Sequence, residues 1–422
     1  MQNLWNTEYH KFLQTYSDPA SHNNRVLADG LVISLDSQKT HRNNHTFLLA
    51  SCRDAQNWLY ANMLQANSSY LIPDYNGQVY ENTHQYLRSQ GYQVHVLNLP
   101  SPSAGIHYHP LVCLRPIDGT YQMSVENMIK AVLPRWDAKD PFWHEVQKEF
   151  LRTILHYIAT LPPEQRTFDM LLQLFPDPND STPWNGGVMQ HSDNPAVLSG
   201  INALQKYPLR ILTAALVDVR KTLSSLQNLA CDTTPFNMEQ LTNGWHAVYV
   251  VYNDCSNTSA ITLFCTQVLD YLYAAAGAVQ ERKLMPSWLI YMNQWHPDFV
   301  FQLRLASKYN IGFALHCKNL KEWQQLHKYE FECVAGWCDT LMYAPSDECN
   351  ELEWMMSTIR YARVSKNDDT AQALRALRAV KPSQCVVCIR GERPFYCTKY
   401  QWTTHPNAKY IRVPQNNEEC PS

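Results

Sequence analysis

Short apolar runs separated by longer stretches of helical spacing restrict the fold of this chain more than any other feature. The candidate strands are residues 47–49, 70–72, 94–97, 247–252, 288–292, 311–315, 340–343 and 385–389. Several are apolar throughout rather than alternating, which is typical of parallel strands covered on both faces. Stretches such as 81–89 and 261–276 repeat their apolar residues at helical spacing. The alternation predicts an α/β fold with a mostly parallel central sheet and crossover helices.

One long block interrupts this alternation. Residues 124–238 show little strand signal, while 142–159 and 196–229 have helical patterns. We therefore predict an inserted all-α domain at 124–238. The α/β domain then has an N-terminal part at 1–123 and a C-terminal part at 239–410, followed by a flexible polar tail at 411–422.

Composition and charge exclude several classes of protein. The 422 residues are 45% hydrophobic and 17% charged, as in folded globular proteins. The 35 Lys and Arg against 38 Asp and Glu leave no basic excess. A chain devoted to duplex DNA usually has such an excess, because Lys and Arg make the phosphate contacts. The overall charge does not exclude a local basic groove.

Cysteine usage and hydropathy favour a soluble, reduced protein. The 13 cysteines are an odd number spread along the chain, which favours cytosolic thiols over a disulfide framework. The start has no signal-peptide pattern, and the most apolar stretch, 261–279, contains Thr262, Gln267 and Asp270. This stretch is expected to be a core-facing helix rather than a membrane span. We expect a cytoplasmic protein, with a peripheral place at the inner face of the membrane as an alternative.

Four stretches, in order, resemble the TraG/TraD type of conjugative coupling proteins, which are RecA-like P-loop ATPases of type IV secretion. They cover about residues 30 to 410 and comprise 33–43; 64–69 with 74–78 and 90–94; the Asp-Pro-Phe-Trp element at 140–143; and 338–340 with 390–400. The resemblance implies the RecA-like fold and a membrane-proximal ATPase that passes substrates into a secretion channel. The family also has an N-terminal membrane anchor, which we do not expect here.

The segment that resembles the phosphate loop lacks the residues that the chemistry needs. A P-loop uses Gly-rich backbone to surround the phosphates, a Lys to reach them and a Ser or Thr to bind Mg²⁺. Counting from the lead-in places the loop at residues 50–57, where Gln56 replaces the Lys and Asn57 the Thr. The preceding residues are Arg53, Asp54 and Ala55, and no glycine is present. We predict an ordinary strand-to-helix turn here.

Three further elements of the implied nucleotide site are also altered. In the family, the strand matching 288–292 ends in Asp-Glu, which supports Mg²⁺ and activates water; here it ends in Asn293 and Gln294. At the Asp-Pro-Lys-Gly-Glu turn, Asp74 is retained while its neighbours differ. The family's Gln-rich strand end that senses the nucleotide is replaced by a segment beginning at His316. The combined changes predict a degenerate nucleotide site.

Other candidate sites are weaker. His107 and His109 would share a face if extended, but Tyr108-His109-Pro110-Leu111 resembles a Tyr-Asn-Pro-Leu element of the family, which favours a structural turn over a metal pair. Cys385 and Cys388 lie three apart in an apparent strand, which directs them to opposite faces and disfavours zinc. Trp337 lies in an aromatic and Lys-containing region that would suit single-stranded nucleic acid, although a solvated helix face is the favoured interpretation.

The sequence thus favours a non-catalytic, coupling-protein-like component of a conjugative or type IV secretion system, with no cofactor. Its role would be substrate docking, adaptor function or an inactive place in an oligomeric ring. Expected partners are an intact coupling ATPase, a relaxase or a substrate protein, with DNA possible. The alternatives are an active DNA-translocating ATPase with a rearranged site and a nucleic-acid-binding module.

Overall fold

A computed structural model describes residues 2–114, 121–133, 141–177, 184–227, 235–254, 258–279, 287–292, 299–321, 331–345, 354–355 and 377–411. The chain divides into two compact units. Unit 1 comprises residues 1–95, 243–251 and 275–422, and unit 2 comprises 96–242 and 252–274. The predicted insertion at 124–238 lies inside unit 2, whose limits are wider.

The strands form one large sheet and one hairpin. They are β1 Asn24–Ala28, β2 Leu31–Ser34, β3 Thr46–Ala50, β4 Ser69–Tyr75, β5 Gln93–Asn98, β6 His246–Tyr252, β7 Trp288–Met292, β8 Ile311–Cys317, β9 Thr340–Ala344, β10 Gln384–Ile389 and β11 Phe395–Thr398. Strands β1 and β2 pair antiparallel. The other nine form a sheet of order β11-β10-β9-β3-β8-β7-β4-β6-β5.

The centre of the sheet is parallel, and one margin is antiparallel. Strand β3 pairs in parallel with β8 and β9, β7 with β8, and β4 with β7. Strand β10 is antiparallel to both β9 and β11. All residues of β3, β7 and β8 are buried, which matches their continuous apolar sequences. The predicted α/β class and mostly parallel sheet are confirmed.

The α-helices of the described residues are α1 Gln2–Tyr16, α2 Ser37–Thr40, α3 Cys52–Met63, α4 Gln78–Ser89, α5 Tyr121–Val132, α6 Pro141–Thr160, α7 Phe168–Gln173, α8 Pro195–Leu204, α9 Leu209–Gln227, α10 Thr258–Ala278, α11 Phe299–Ala306 and α12 Phe331–Trp337. Helix α3 follows β3, and α4 follows β4, as the strand-helix alternation requires. Described residues include no helix that is long and apolar enough to cross a membrane.

Unit 2 is held by buried apolar faces and by polar groups that satisfy its backbone. Helix α6 buries residues such as Phe150 and Ile154 along one face. Within this unit, the buried Arg166 donates to the backbone carbonyls of Leu114 and Ala159 at 2.6 and 3.0 Å. Since a buried guanidinium needs acceptors, these bonds fix the chain that surrounds α6.

A glycine permits the close approach of α6 and α8. A Cβ added at Gly200 would lie 2.0 Å from Thr153 Oγ1 and 2.9 Å from Thr153 Cβ. We expect Gly200→Ala to lower the free energy of unfolding by about 1 to 3 kcal/mol, because overpacking outweighs the better helix propensity of alanine. Chemical denaturation measures this difference. The control is Gly336→Ala in α12, where nothing lies within 4 Å of the added Cβ. An unchanged free energy of unfolding in Gly200→Ala would contradict the close packing of α6 against α8.

All eight predicted strands are present in the large sheet. The sequence patterns missed the β1–β2 hairpin and edge strand β11. Of the predicted tail at 411–422, Ile411 is buried, with 5% of its surface exposed, and 412–422 lie outside the described residues.

Candidate functional site

The carboxyl ends of four adjacent parallel strands bring most of the predicted site residues to one edge of the sheet. Along this edge the order is β3, β8, β7 and β4. The ends are aligned, since Leu49 of β3 pairs with Cys317 of β8, and Met292 of β7 pairs with Leu315 of β8. In open α/β sheets, ligands bind outside the carboxyl ends of the strands. This edge is therefore the candidate site.

The chain passes from β3 to α3 through a single residue. Ser51 is the N-cap of α3, and its hydroxyl accepts from the Asp54 backbone N–H. None of residues 50–57, all of which the structure describes, has a positive φ angle. Residues 53–57 lie within α3 rather than in a loop. The predicted strand-to-helix turn is therefore present, and this backbone forms no Gly-like concavity that could surround phosphates.

A carboxylate of the chain itself occupies the amino end of α3. Asp54 Oδ2 accepts from Ser51 Oγ at 3.1 Å and lies 2.7 Å from Lys399 Nζ. The Lys399 side chain is 9% exposed and that of Asp54 is 19% exposed. Lys399 Nζ also donates to the Pro345 carbonyl at 3.2 Å. The positive end of the helix dipole is thus satisfied by an internal anion with its own counter-ion.

The segment that follows β11 continues along α3. The Asn57 side chain donates to the Tyr400 carbonyl and accepts from the Trp402 backbone N–H, at 2.5 and 3.0 Å. The Trp402 ring packs edge-on against Tyr60, with centroids 5.5 Å apart. Gln56 donates to the Tyr60 hydroxyl at 3.3 Å. Ala55 is buried and Arg53 is exposed. Gln56 and Asn57 therefore have structural contacts.

Asp74 caps α4. Its two carboxylate oxygens accept from the backbone N–H groups of Val79 and Tyr80, at 3.0 and 2.8 Å. The turn between them requires left-handed backbone at Asn76 and Gly77, with φ of 57° and 72°. Asparagine and glycine tolerate this conformation better than other residues. The carboxylate thus neutralises the amino end of α4 in the same way as Asp54 does at α3.

His316 joins β8 to β3. It is 5% exposed, and its Nε2 lies 3.0 Å from the Ala50 carbonyl. Burial lowers the pKa of His316 to about 4, so the ring is neutral near pH 7 and Nε2–H donates to that carbonyl. The histidine closes the gap between two strand ends.

Comparison with known proteins provides the family. The family described as type IV secretory system conjugative DNA transfer matches residues 29–321. The chain belongs to this conjugative DNA-transfer family. A search of the curated proteins finds no similar sequence.

Solved structures of the coupling protein TrwB and of VirB4 share the fold of this conjugative DNA-transfer protein. The coupling protein TrwB in complex with the GTP analogue GDPNP has a TM-score of 0.63 at 12% identity, covering 94% of each chain. The unbound bacterial coupling protein TrwBΔN70 has a TM-score of 0.61 at 12% identity, covering 95% of this chain and 94% of that one. VirB4 of Thermoanaerobacter pseudethanolicus gives 0.50 at 12% identity, with 93% and 99% covered. At such identities the likeness establishes the fold alone, which is that of RecA-like P-loop NTPases.

Two predicted site residues of this conjugative DNA-transfer protein, Asn293 and Gln294, lie outside the described residues. Strand β7, which precedes them, ends at Met292 at the same edge as β3 and β8. The other seven lie at or near the carboxyl edge, in three groups. Arg53 to Asn57 are in α3, Asp74 is at the start of α4, and His316 is in β8.

Ser51 and Lys399 were not predicted as site residues. A signal for Ser51 exists, because Ser-x-x-Asp at residues 51–54 has the spacing of a helix-capping box. Lys399 has no local signal, since 345 positions separate it from Asp54.

The other candidate sites considered from the sequence, around Tyr108 and at Cys385 and Cys388, are buried in the protein interior. Tyr108, between the two histidines, is buried and donates to Gln267 Oε1 at 2.6 Å. Cys385 and Cys388 are both buried in β10, where burial raises the pKa of each thiol to about 12. Across the ranges that the structure describes, no three His, Cys, Asp or Glu residues cluster closely enough to hold a metal ion.

Buried histidines make the stability of this conjugative DNA-transfer protein depend on pH. Burial lowers the pKa of His45 and His316 to about 4 from the usual 6.5, and partial burial beside His246 lowers that of His95 to a similar value. Because the folded pKa is below the unfolded one, the stabilisation is complete above pH 6.5 and is lost as pH falls toward 4. For His316 this loss is on the order of 3 kcal/mol.

We expect His316→Gln to reduce the fall in unfolding free energy between pH 7 and pH 4.5 by about 1 to 3 kcal/mol, because glutamine can donate without titrating. Urea denaturation at each pH gives the profile. His22, which is exposed, provides the control variant His22→Gln, whose profile should match that of the wild type. A His316→Gln profile parallel to the wild type would contradict a neutral, buried His316.

Proposed function

We propose that this chain is a non-catalytic component of a conjugative type IV secretion system. It would dock a substrate, act as an adaptor or take an inactive place beside an intact coupling ATPase. The observation that supports this most is the amino end of α3, where Ser51, Asp54 and Lys399 form a closed, internally neutralised cluster.

A nucleotide phosphate would have to lie at the amino end of α3. P-loop proteins place phosphates at the amino end of the helix that follows the first strand, where free backbone N–H groups point at them. In this chain the Ser51 hydroxyl takes one of these N–H groups and the Asp54 carboxylate lies beside them. Two like unit charges 4 Å apart repel by about 4 kcal/mol at a partly screened site. A polyphosphate would therefore have to displace Asp54 from Lys399.

The residue types support the same proposal. Gln56 is an amide in the second turn of α3, with its side chain bonded to Tyr60. Asn293 and Gln294 have amides where the family has Asp and Glu. An amide neither holds Mg²⁺ by charge nor accepts a proton near neutral pH. TrwB has been solved with ADP and Mg²⁺, so a fold of this kind accommodates a nucleotide where the local residues allow it.

The test is calorimetric titration with Mg·ATP, together with a phosphate-release assay. We expect neither binding at micromolar affinity nor hydrolysis above the buffer rate. Micromolar binding, with turnover that depends on Mg²⁺, would favour the alternative of an active DNA-translocating ATPase with a rearranged site.

Restoring a single P-loop residue should not restore activity. We expect Gln56→Lys to leave ATP hydrolysis at background, because the lysine, the glycines, the Mg²⁺ ligand and the water-orienting carboxylate act as a unit. The same phosphate-release assay measures this, with Gln65→Lys as a control for added charge. Turnover in Gln56→Lys alone would refute the proposal that the site is degenerate in several elements.

A docking role would reside in unit 2. In the resembled family the helical domain recognises cargo, so its surface could retain a role after the nucleotide site has degenerated. The experiment is a pull-down with the full chain from cells that contain a conjugative system, compared with surface variants of α8 and α9. If a relaxase or substrate protein is captured by the α8 and α9 variants as well as by the wild type, and is lost only when unit 1 is altered, docking by unit 2 is contradicted. Capture of nucleic acid alone would favour the alternative of a nucleic-acid-binding module.

A further inference from the structure

Two cysteines lie directly opposite each other at the antiparallel margin of the large sheet. Cys385 of β10 pairs with Cys397 of β11. Two positions away in each segment, the Lys399 backbone N–H donates to the Ser383 carbonyl at 2.9 Å. Because hydrogen-bonded pairs recur at every second residue of an antiparallel ladder, the two cysteines also form such a pair. Their Cα atoms are therefore about 5.5 Å apart, within the range of about 4.4 to 6.8 Å that a disulfide spans.

The two thiols also lie on the same face of the sheet. Cys385 belongs, with Val387 and Phe395, to one buried apolar cluster, and Cys397 packs against that cluster. Both cysteines are free thiols, with Cys385 buried and Cys397 half-buried. A reagent in solution therefore reaches Cys397 first, with Cys385 directly behind it.

The position of β11 allows the small movement that a disulfide requires. Opposed Cβ atoms in a sheet lie about 4.5 to 5.5 Å apart, whereas a disulfide holds them at about 3.5 to 4.5 Å. Strand β11 has four residues and is the marginal strand of the sheet, so it adapts more easily than a central strand. The strain that remains makes the bond easier to reduce, as in disulfides that form and open reversibly.

Both thiols are protonated near neutral pH. Burial, followed by the nearby Cys397, raises the pKa of Cys385 to about 12. Burial, followed by the charge of Asp29, raises the pKa of Cys397 to about 12. Because the thiolate is the nucleophile in disulfide exchange, the reaction is slow near pH 7 and accelerates as the pH rises toward 12. The pair therefore stays reduced unless oxidising conditions persist.

We propose that Cys385 and Cys397 are a reversible disulfide site, oxidised by a small-molecule disulfide such as oxidised glutathione. The Cys397 thiolate attacks one sulfur of oxidised glutathione and releases one glutathione thiolate. The Cys385 thiolate then attacks Cys397 Sγ in the mixed disulfide and releases the second. The cysteines lose two electrons, oxidised glutathione gains two, and the two protons lost by the cysteines go to the released thiolates.

The disulfide acts on the segment that carries the counter-ion of Asp54. Lys399 follows Cys397 by two residues, and its Nζ lies 2.7 Å from Asp54 Oδ2. A covalent bond between β10 and β11 restricts this segment in the folded chain. It also restricts the unfolded chain, which raises the resistance to denaturation if the strain is small. Oxidation of Cys385 and Cys397 therefore strengthens the closed cluster at the amino end of α3.

The experiment exposes the full folded chain to oxidised glutathione at about pH 8.5, where thiolates begin to form. The remaining thiols are then alkylated and the peptides are analysed by mass spectrometry. We expect a cross-linked Cys385–Cys397 peptide that disappears when reduced glutathione is added. The urea midpoint of the oxidised chain should be higher than that of the reduced chain. Cys388→Ala, which removes the cysteine on the other face of β10, should form the same cross-link.

Cys397→Ser should lose both the cross-link and the rise in the urea midpoint. The wild-type results decide the matter even if this variant fails to fold. The proposal is overturned if both cysteines remain alkylatable, or if Cys397 takes up glutathione that Cys385 does not displace. A cross-linked chain whose urea midpoint is no higher than that of the reduced chain overturns the strengthening of the α3 cluster, because strain in the folded state then cancels the gain.

Discussion

Replacing Asp54 by asparagine is expected to lower the free energy of unfolding by about 3 kcal/mol, because Lys399 would keep its charge in a site where its side chain is 9% exposed. Asparagine preserves the size of the side chain and can still accept a hydrogen bond, so the change isolates the charge. The Pro345 carbonyl would remain as an acceptor for Lys399, which places the effect at the lower end of the range for buried pairs. Urea denaturation followed by tryptophan fluorescence measures it.

A double-mutant cycle separates the pair from its surroundings. Lys399→Met removes the buried charge, so Asp54→Asn in that background should cost about 1 kcal/mol or less. The matched control is Glu126→Gln, which breaks the 2.6 Å pair with Arg152, where both side chains are 32% exposed. We expect less than about 1 kcal/mol there. Equal losses in Asp54→Asn and Glu126→Gln would show that burial does not strengthen the Asp54–Lys399 pair.

Asp74→Ala is expected to destabilise unit 1 by about 2 to 4 kcal/mol. The substitution leaves the backbone N–H groups of Val79 and Tyr80 without their acceptors, in a place where Asp74 is 1% exposed. Two unsatisfied donors and the loss of a negative charge at the amino end of α4 account for this magnitude. The midpoint and slope of urea denaturation give the value.

Asp74→Asn provides the comparison for this cap. Its amide oxygen can accept from one of the two N–H groups, so we expect roughly half the loss seen with alanine. Similar losses in both variants would mean that charge, rather than the number of acceptors, dominates the cap. If Asp74→Ala left the free energy of unfolding unchanged, water would have to replace the carboxylate as acceptor, and the cap would not be buried in solution.

The central strands could be predicted from sequence because each is buried on both faces and therefore apolar throughout. The β1–β2 hairpin was missed because Asn24 and Arg25 are polar yet buried, at 2% and 3% exposure. A local signal existed, since Asp29-Gly30 is a favoured hairpin turn and Gly30 has a φ of 72°. Strand β11 was missed because its four residues follow a proline and lie at the margin of the sheet.

The candidate site could be predicted only in part, for a physical reason. Residue types alone reveal that residues 50–57 lack glycine and lysine. The Ser-x-x-Asp spacing at residues 51–54 signals the N-cap at Ser51, but residue types do not show that the helix continues from Cys52 through residues 53–57, because that depends on packing. The partner of Asp54 was inaccessible to local patterns, since Lys399 reaches the site through the sheet and the segment after β11.

The segment after β11 has a consequence for synthesis of the protein. During translation, Asp54 emerges from the ribosome 345 residues before Lys399. At about 5 to 20 residues per second, the interval is roughly 20 to 70 seconds. The two strands that pair with β3 are also synthesised late, since Thr46 pairs with Ala314 of β8 and with Thr340 of β9. Until those strands and Lys399 have been made, the nascent chain carries β3 without its two neighbours and Asp54 without its counter-ion, and pairing across such long sequence separations is slow and exposed to aggregation.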